Sequence, residues 1–471
     1  MGAAAAETTT PRTPALDVRQ GLDKLASYPF AILTWVDPSG YPVSVALPVA
    51  IDAPAGSAVF TAPAGLTVPA GVDVSLTGSH IRPQPGYGYD ERRHVTVWGR
   101  ATQTGDRVAF AAARAWGWDE AEVPFFEYSE RSIGQSKKYF DALTVERGTP
   151  VKPRLSFGWL ALRTTRLPFL TATIVPVVLG IAIAARQGSF DLVTAVLTVI
   201  GAAFVQLGLN VANDVFDSVQ GADEANVTPT QFSGGSRVIQ YGLVSFRQMA
   251  GLATTFYVLA AVIGLVLLGL RGSTALLVIG VVGFIVSIGY TAPPLKFVYR
   301  GLGEIAVAIG FGPLMLLGGY VVQTRGALTW EPFVLSLPVA LLVALILYVN
   351  EIPDRRGDAR VGKRTLPVRF SKAAVIGGYR GAAIAAYAIL VAGVVAGQLP
   401  IPALLALLTI PLARQVSRGL EPNYDNPYGL MAVMGVNVKV HVYAGLLLLA
   451  GYAVVLILGA VAPSVSLFVG R

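Results

Sequence analysis

The chain has 471 residues, 54% of them hydrophobic and 14% charged, with a mean hydropathy of +0.59. Soluble globular chains carry about a quarter charged residues, so this composition indicates a membrane protein. Cysteine is absent, which excludes disulfides, thiolate metal sites and a cysteine nucleophile; the net charge of +8 reads as the basic bias of cytoplasmic loops, with no nucleic-acid partner implied.

Residues 1–15, rich in Ala, Thr and Pro, read as a disordered leader without the basic-then-apolar pattern of a secretory signal. From there to about residue 150 the apolar runs are short and broken by turn residues. FAILTWV (30–36) meets Asp37-Pro38-Ser39-Gly40 and is followed by YPVSVALPVAI, and AVFTA and HVTVWGRAT are further strand candidates. The stretch 107–118 and Tyr139-Phe140 read as helical. No run reaches the roughly 18 residues that cross a bilayer, so residues 16–150 are expected to form a soluble, β-rich domain. His80, Arg82, Arg92, Arg93 and His94 are a candidate anion patch, with ordinary surface residues the blander alternative. GYGYD (86–90) reads as a turn.

After residue 160 the pattern changes. Long apolar segments lie near 167–186, 192–212, 248–270, 273–292, 303–323, 332–350, 374–396, 399–416 and 437–461. Each can span about 30 Å of hydrocarbon as a helix, so residues 160–465 are expected to form an all-α membrane bundle of nine transmembrane helices. Charge sets its orientation. One side would hold Arg163, Arg166, Arg237, Arg247, Lys296, Arg300, the basic residues of 355–372, Arg414 and Arg418, and the other only Arg186, Arg271, Arg325 and Arg471. That asymmetry predicts a multi-pass protein of the cell membrane, with the first set and the N-terminal domain cytoplasmic.

Acidic residues concentrate after the second and sixth spans, on the predicted cytoplasmic side. The first run is Asn210-Val-Ala-Asn213-Asp214-Val-Phe-Asp217, followed by Asp223; the second is Asn350-Glu351-Ile-Pro-Asp354-Arg-Arg-Gly-Asp358, followed by Lys363-Arg364. If the helices continue, each aspartate pair shares a face and can grip one hard cation. Mg²⁺ suits such carboxylates, because it bridges one or two of them to substrate phosphates and keeps several waters. Two facing clusters with basic neighbours (Arg237, Lys296, Lys363, Arg364) call for a diphosphate leaving group. A single pair would be read as solvated loop charge, but two in matching positions at span ends point to function.

These blocks resemble the UbiA superfamily of membrane prenyltransferases. RLPFLTATIVPVVLG (166–180) is similar to the family's first helix, NVANDVFDSVQGAD to its first aspartate motif and DRRGDARVGKRTLPVR (354–369) to its second. SGGSRVIQYGLVS (233–245) and YTAPPLKFVYRGLGE (290–304) resemble its linking segments. The resemblance implies that Asp214, Asp217, Asp354 and Asp358 hold Mg²⁺, with Asn210, Asn213 and Asn350 lining the site and Asp223 assisting. It implies further that Arg237, Lys296, Lys363, Arg364 and Arg166 contact the diphosphate, and that Tyr290 lies near the reacting carbons. The implied reaction is electrophilic: diphosphate leaves a polyprenyl diphosphate and an aromatic acceptor attacks its first carbon. GGSRVIQYG, GLGE and GGYVVQTRG (318–326) look most like the branch acting on 1,4-dihydroxy-2-naphthoate or a related quinone precursor in menaquinone biosynthesis. YTAPPLK is also close to the chlorin type, and ether-lipid enzymes share both motifs. Glu351 departs from the naphthoate pattern, which often has a second Asn there.

Residues 16–145 resemble the pyridoxamine-phosphate-oxidase-like split barrel, through LASYPFAILTWVDPSGYPVSVALPVAID and VTVWGRATQTGD. By that analogy the domain would pair into a homodimer and could carry FMN. His441, on the last span, reads as a packed histidine, and Gly318-Gly319 as a close helix contact. An ion-coupled transporter is the rival from another class. It would place charges at the bilayer midplane, whereas here they sit at span ends.

Overall fold

The computed structural model describes residues 15–69, 71–83, 89–123, 125–153, 155–226, 228–461 and 467–469. The expected leader up to residue 14, the start of the turn at 86–88, and Arg471 lie outside these residues. The chain divides into two compact units, 1–132 and 133–471.

The first unit is an antiparallel sheet of eight strands: β1 (Ala15–Leu16), β2 (Ala31–Val36), β3 (Pro42–Leu47), β4 (Ala50–Asp52), β5 (Ser57–Thr61), β6 (Asp73–Pro83), β7 (Tyr89–Thr104) and β8 (Arg107–Asp119). They hydrogen-bond in the order β3-β2-β6-β7-β8-β5-β4, with β1 on β8. Alternation sends Leu33, Trp35, Val74, Leu76, Val95, Val97, Val108 and Phe110 into one core. Helix α1 (Val18–Leu25) closes that core with Leu22 and Leu25. It opens on a capping box in which Asp17 and Gln20 satisfy each other's backbone N–H. The Asp37–Gly40 turn forms as predicted, its Asp37 carboxylate accepting from the backbone N–H of Ser39 and Tyr41.

The helix expected over 107–118 is overturned: this stretch is β8. Its alanines favour helix locally, but Val108 and Phe110 alternate inward, and β8 pairs with both β7 and β5. Tertiary pairing outweighs the local preference. The candidate anion patch is largely neutralised by its own neighbours. Arg82 pairs with Asp90 at 2.8 Å and Glu91 at 2.9 Å, His80 lies 3.3 Å from Glu91, and Arg92 lies 2.5 Å from Glu120. His94 instead packs edge-on to Trp116, while Trp118 stacks on Tyr128. Cations already engaged in this way do not fit a flavin phosphate site at this patch.

The second unit is helical. After α2 (Phe125–Arg147), which the division of the chain cuts, come α3 (Phe157–Thr165), α4 (Thr171–Arg186), α5 (Leu192–Val219), the short α6 (Ala222–Ala225), α7 (Phe246–Arg271) and α8 (Thr274–Gly289). Then follow α9 (Gly303–Ile309), α10 (Met315–Thr324), α11 (Trp330–Arg360), the short α12 (Leu366–Arg369), α13 (Lys372–Val395), α14 (Ile410–Asn423) and α15 (Leu430–Val461). Among the described residues, seven helices are long and apolar enough to cross a membrane, counting α4 together with the 3₁₀ turn Leu167–Leu170 before it, and α9 and α10 as one across a π-turn at Gly310–Leu314. The two other predicted spans differ. Helix α8 has 16 residues, and 399–416 splits into a 3₁₀ segment, Ile401–Thr409, and α14. Pro402 and Pro411 lack the N–H groups that a continuous α-helix there would use.

The bundle's core lies between α4, α10, α11, α13 and α15, around Leu179, Ile183, Leu316, Tyr320, Val349 and Tyr452. Glycine allows the closest approach: a Cβ on Gly319 would lie 2.4 Å from the Val177 carbonyl oxygen, so α10 rests directly on α4. His441 is buried, 3.3 Å from the Thr171 carbonyl. Where α4 ends, Arg186 pairs with Glu331, which also accepts from Tyr452 and Gln187 at 3.0 Å. That partnership satisfies a buried charge. By contrast, Leu265, Val266 and Leu270 of α7 and Leu277, Val281 and Ile285 of α8 are exposed. Such a surface suits lipid contact.

Candidate active site

Both aspartate runs lie on helices that carry an apolar span past its last hydrophobic residues. Helix α5 continues unbroken to Val219 and α11 to Arg360, so Asp214/Asp217 and Asp354/Asp358 each share a helix face. All but Asp354 are nearly fully buried.

Asp217 is a meeting point. It accepts from Tyr299 Oη at 2.8 Å and Asn213 Nδ2 at 3.1 Å, and lies 3.3 Å from Lys363 Nζ. The same ammonium lies 3.7 Å from Asp358, so Lys363 bridges the two runs. Burial opposes the Lys363 charge, but Asp217 and Asp358 outweigh it and hold the ammonium firmly protonated. Asp354 accepts from Asn226 Nδ2 at 2.8 Å and from the Gly234 N–H at 2.9 Å. Asp214 pairs with Arg166 and accepts from the Ser236 N–H at 3.2 Å.

The segment 226–237 thus touches both runs, and two glycines make this possible. Gly234 and Gly235 have φ of +77° and +74°, and a Cβ on Gly235 would lie 2.5 Å from Asp223 Oδ1. Burial and the neighbouring Asp214 and Asp217 push the Asp223 carboxyl well above the usual range.

A cavity of about 180 Å³ is lined by Arg166, Asn210, Asn213, Asp217, Asp223, Tyr290, Asn350, Asp354, Asp358 and Lys363, together with Glu351. Asp214, Arg237, Lys296 and Arg364 lie outside that lining. Asp214 sits behind it, bonded to Arg166. Arg237 donates to the Asp223 and Asn226 carbonyls. The Lys296 ammonium lies 5.5 Å from the Tyr299 ring centre, and Arg364 is exposed. Sequence reasoning missed Tyr299, Asn226 and Gly234. Tyr299 and Gly234 carried a signal, as parts of the YTAPPLKFVYRGLGE and SGGSRVIQYGLVS blocks.

A second, almost wholly apolar cavity of about 520 Å³ runs between α5, α7, α8 and α10. Tyr290, Gln206, Leu209, Val307 and Phe311 border both cavities, so the two meet at Tyr290. An apolar chain with a polar anionic head would be accommodated across this junction.

Among the described residues, no three His, Cys, Asp or Glu side chains converge into a metal cage. Nevertheless, buried acceptor oxygens here have no hydrogen-bond partner: Asn213 Oδ1, Asn350 Oδ1, Asp358 Oδ2 and both oxygens of Glu351. Unpartnered buried acceptors are costly, and a cation or a donor-bearing ligand would satisfy them. Mg²⁺ needs only one or two carboxylates when phosphates and waters complete its shell, so this oxygen set fits it.

Residues 173–428, just over half of the chain, match the UbiA prenyltransferase family. The 2-carboxy-1,4-naphthoquinone phytyltransferase of Synechocystis sp. is 30% identical over 301 residues, covering 62% of this chain and 92% of the relative. The 1,4-dihydroxy-2-naphthoate octaprenyltransferase of Bacillus subtilis is 25% identical over 304 residues, 64% of this chain and 95% of the relative. Of solved structures, a UbiA homologue from Aeropyrum pernix K1 aligns with a TM-score of 0.46 at 19% identity, covering 62% of this chain and 98% of that one. The chain therefore belongs to the UbiA prenyltransferase family and is a membrane prenyltransferase.

Proposed function

We propose that the protein transfers a polyprenyl group from a polyprenyl diphosphate to an aromatic acceptor, either 1,4-dihydroxy-2-naphthoate or a related quinone precursor. The observation that carries this reading is the junction at Tyr290, where an almost wholly apolar cavity of about 520 Å³ meets a cavity lined by aspartates. The naphthoquinone and naphthoate names of the two relatives support the acceptor class.

In this reading Asp214, Asp217, Asp354 and Asp358 hold Mg²⁺, Asp214 from behind the cavity wall. When bound, Mg²⁺ would neutralise charge on the departing diphosphate. Lys363 and Arg166, whose charges are sustained by these aspartates, would turn to the diphosphate as it binds. Asn210, Asn213 and Asn350 complete the polar wall, and Arg237, Lys296 and Arg364 act from its margin. The apolar cavity keeps water from the allylic carbon as the bond to oxygen weakens.

The wider assignments belong to the same proposal. The helical unit crosses the cell membrane nine times, with α8 and the broken 401–423 segment completing the count, and both aspartate runs face the cytoplasm with the sheet domain. That domain, residues 16–150, is a split barrel that pairs two copies of the chain. Cross-linking or mass measurement of the detergent-solubilised protein tests the pairing.

The central test is an assay of purified protein with Mg²⁺, a labelled polyprenyl diphosphate and a panel of aromatic acceptors. Prenylated dihydroxynaphthoate is the expected product. If no aromatic acceptor is prenylated, or if Asp354→Ala turns over as fast as wild type, the proposal fails.

A further inference from the structure

Glu351 stands out within the polar cavity because nothing among the described residues explains its burial. It is 5% exposed, lines the cavity, and neither of its carboxylate oxygens has a hydrogen-bond partner. Glu304, from the first turn of α9, is 8% exposed and lies against it, and Glu304 Oε1 is also unpartnered. A proton shared between these two carboxyls would satisfy one oxygen of each and leave the others without a donor. Burying such groups uncompensated costs several kilocalories per mole in order of magnitude, so a bound ligand would be expected to supply what they lack.

Their place in the cavity says what kind of ligand. Glu351 lies one turn before Asp354 on α11, on the cavity that Asp217, Asp358 and Tyr290 also line. With a diphosphate on the aspartates and its tail in the apolar cavity, the reacting carbon lies at Tyr290. A ring attacking that carbon from within the same cavity finds Glu351 on its wall. Carboxyl oxygens accept hydrogen bonds, and the negative charge that a singly protonated pair retains repels anions. They therefore favour a group that presents an O–H and disfavour one that presents a carboxylate.

We propose that Glu351, backed by Glu304, is an acceptor-binding residue that takes a hydrogen bond from a hydroxyl of the aromatic substrate. The pair thereby selects a ring that enters hydroxyl-first. Polarising that O–H raises electron density at the ring carbons beside it; one of these bonds to the prenyl carbon as its C–O bond breaks and diphosphate leaves, and that ring carbon then loses its proton, or its carboxyl as CO₂, to restore the aromatic ring. Any carboxylate on the same acceptor points away from α11. This inference rests on the aromatic-acceptor reading above.

Steady-state kinetics of wild type, Glu351→Gln and Glu304→Gln test it, with 1,4-dihydroxy-2-naphthoate, 1,4-naphthalenediol and the two mono-O-methyl ethers of the naphthoate as acceptors. In Glu351→Gln the acceptor KM should rise about tenfold to a hundredfold, the range for a hydrogen bond to a charged group. The KM for prenyl diphosphate should stay within about twofold of wild type, which also shows that the variant is folded. Wild type should discriminate against one methyl ether, and Glu351→Gln should lose that discrimination. Glu304→Gln should shift both readouts in the same direction by less, and it carries the test if Glu351→Gln does not fold. Unchanged acceptor KM and selectivity would overturn the proposal. So would a loss confined to Mg²⁺-dependent diphosphate binding, which would make the pair a cation site. If wild type prenylates no hydroxylated aromatic, the functional reading fails and takes this one with it. Turnover with an unaltered acceptor KM sinks the hydroxyl subsite alone.

Discussion

Lys363 holds in place, between Asp217 and Asp358, the charge balance that a cation and a diphosphate would otherwise have to establish. Replacing Asp217 or Asp354 by Asn keeps the shape of the side chain and removes the charge. Turnover should fall by about a hundredfold or more, the scale of lost charge stabilisation at a reacting centre, while thermal unfolding in detergent stays near wild type. Tyr299→Phe is a milder probe: it deletes the 2.8 Å hydrogen bond to Asp217 and should slow turnover about tenfold. His94 makes a different prediction. Burial against Trp116 lowers its proton affinity below the ordinary histidine value. Its contribution to stability is therefore fully present above the unfolded value of about 6.5 and is lost as pH falls through the lower folded one. Tryptophan-monitored unfolding of the whole chain should show stability dropping as pH falls below about 6.5, by an amount that His94→Gln reduces. The aspartates were legible in the sequence because carboxylates closing an apolar run are conspicuous. Asn226 and the Gly234 N–H were not, since they meet Asp354 more than a hundred residues away in the chain.

At the level of elements, legibility followed the number of constraints acting on each segment. Helices α5, α7, α11, α13 and α15 end within a few residues of the predicted spans or run beyond them, because a long apolar segment has few other ways to satisfy its backbone in lipid. Strand β8 was misread because its alanine content speaks for helix while its neighbours on both sides supply a ladder. Hydropathy alone predicts one helix over 399–416, because it does not register Pro402 and Pro411. Close packing is equally invisible to hydropathy, yet it can be tested. Gly319→Leu would press a side chain into the Val177 backbone and force α4 and α10 apart. The thermal midpoint in detergent should fall, by about 1–3 kcal/mol of stability if overpacking behaves as in other cores, with turnover reduced at assay temperature.

For the molecule as a whole, the apolar cavity and the helices around it define how reactants arrive. Leu265 of α7 and Leu277, Val281 and Ile285 of α8 line that cavity and are also exposed on the outer surface of the bundle. The cavity wall on this side is therefore the same thin layer of side chains that faces hydrocarbon. The relevant concentration of a prenylated substrate is then its mole fraction in the bilayer, a two-dimensional quantity, and not its amount per volume of buffer. In vesicles of fixed protein and substrate content, adding inert phospholipid should lower the rate even though the aqueous volume is unchanged. Holding the substrate-to-lipid ratio constant while diluting the whole suspension should leave the rate per enzyme unaltered. Such an enzyme responds to the composition of the membrane around it, and changes in bilayer area during growth would act on it as a change in substrate supply.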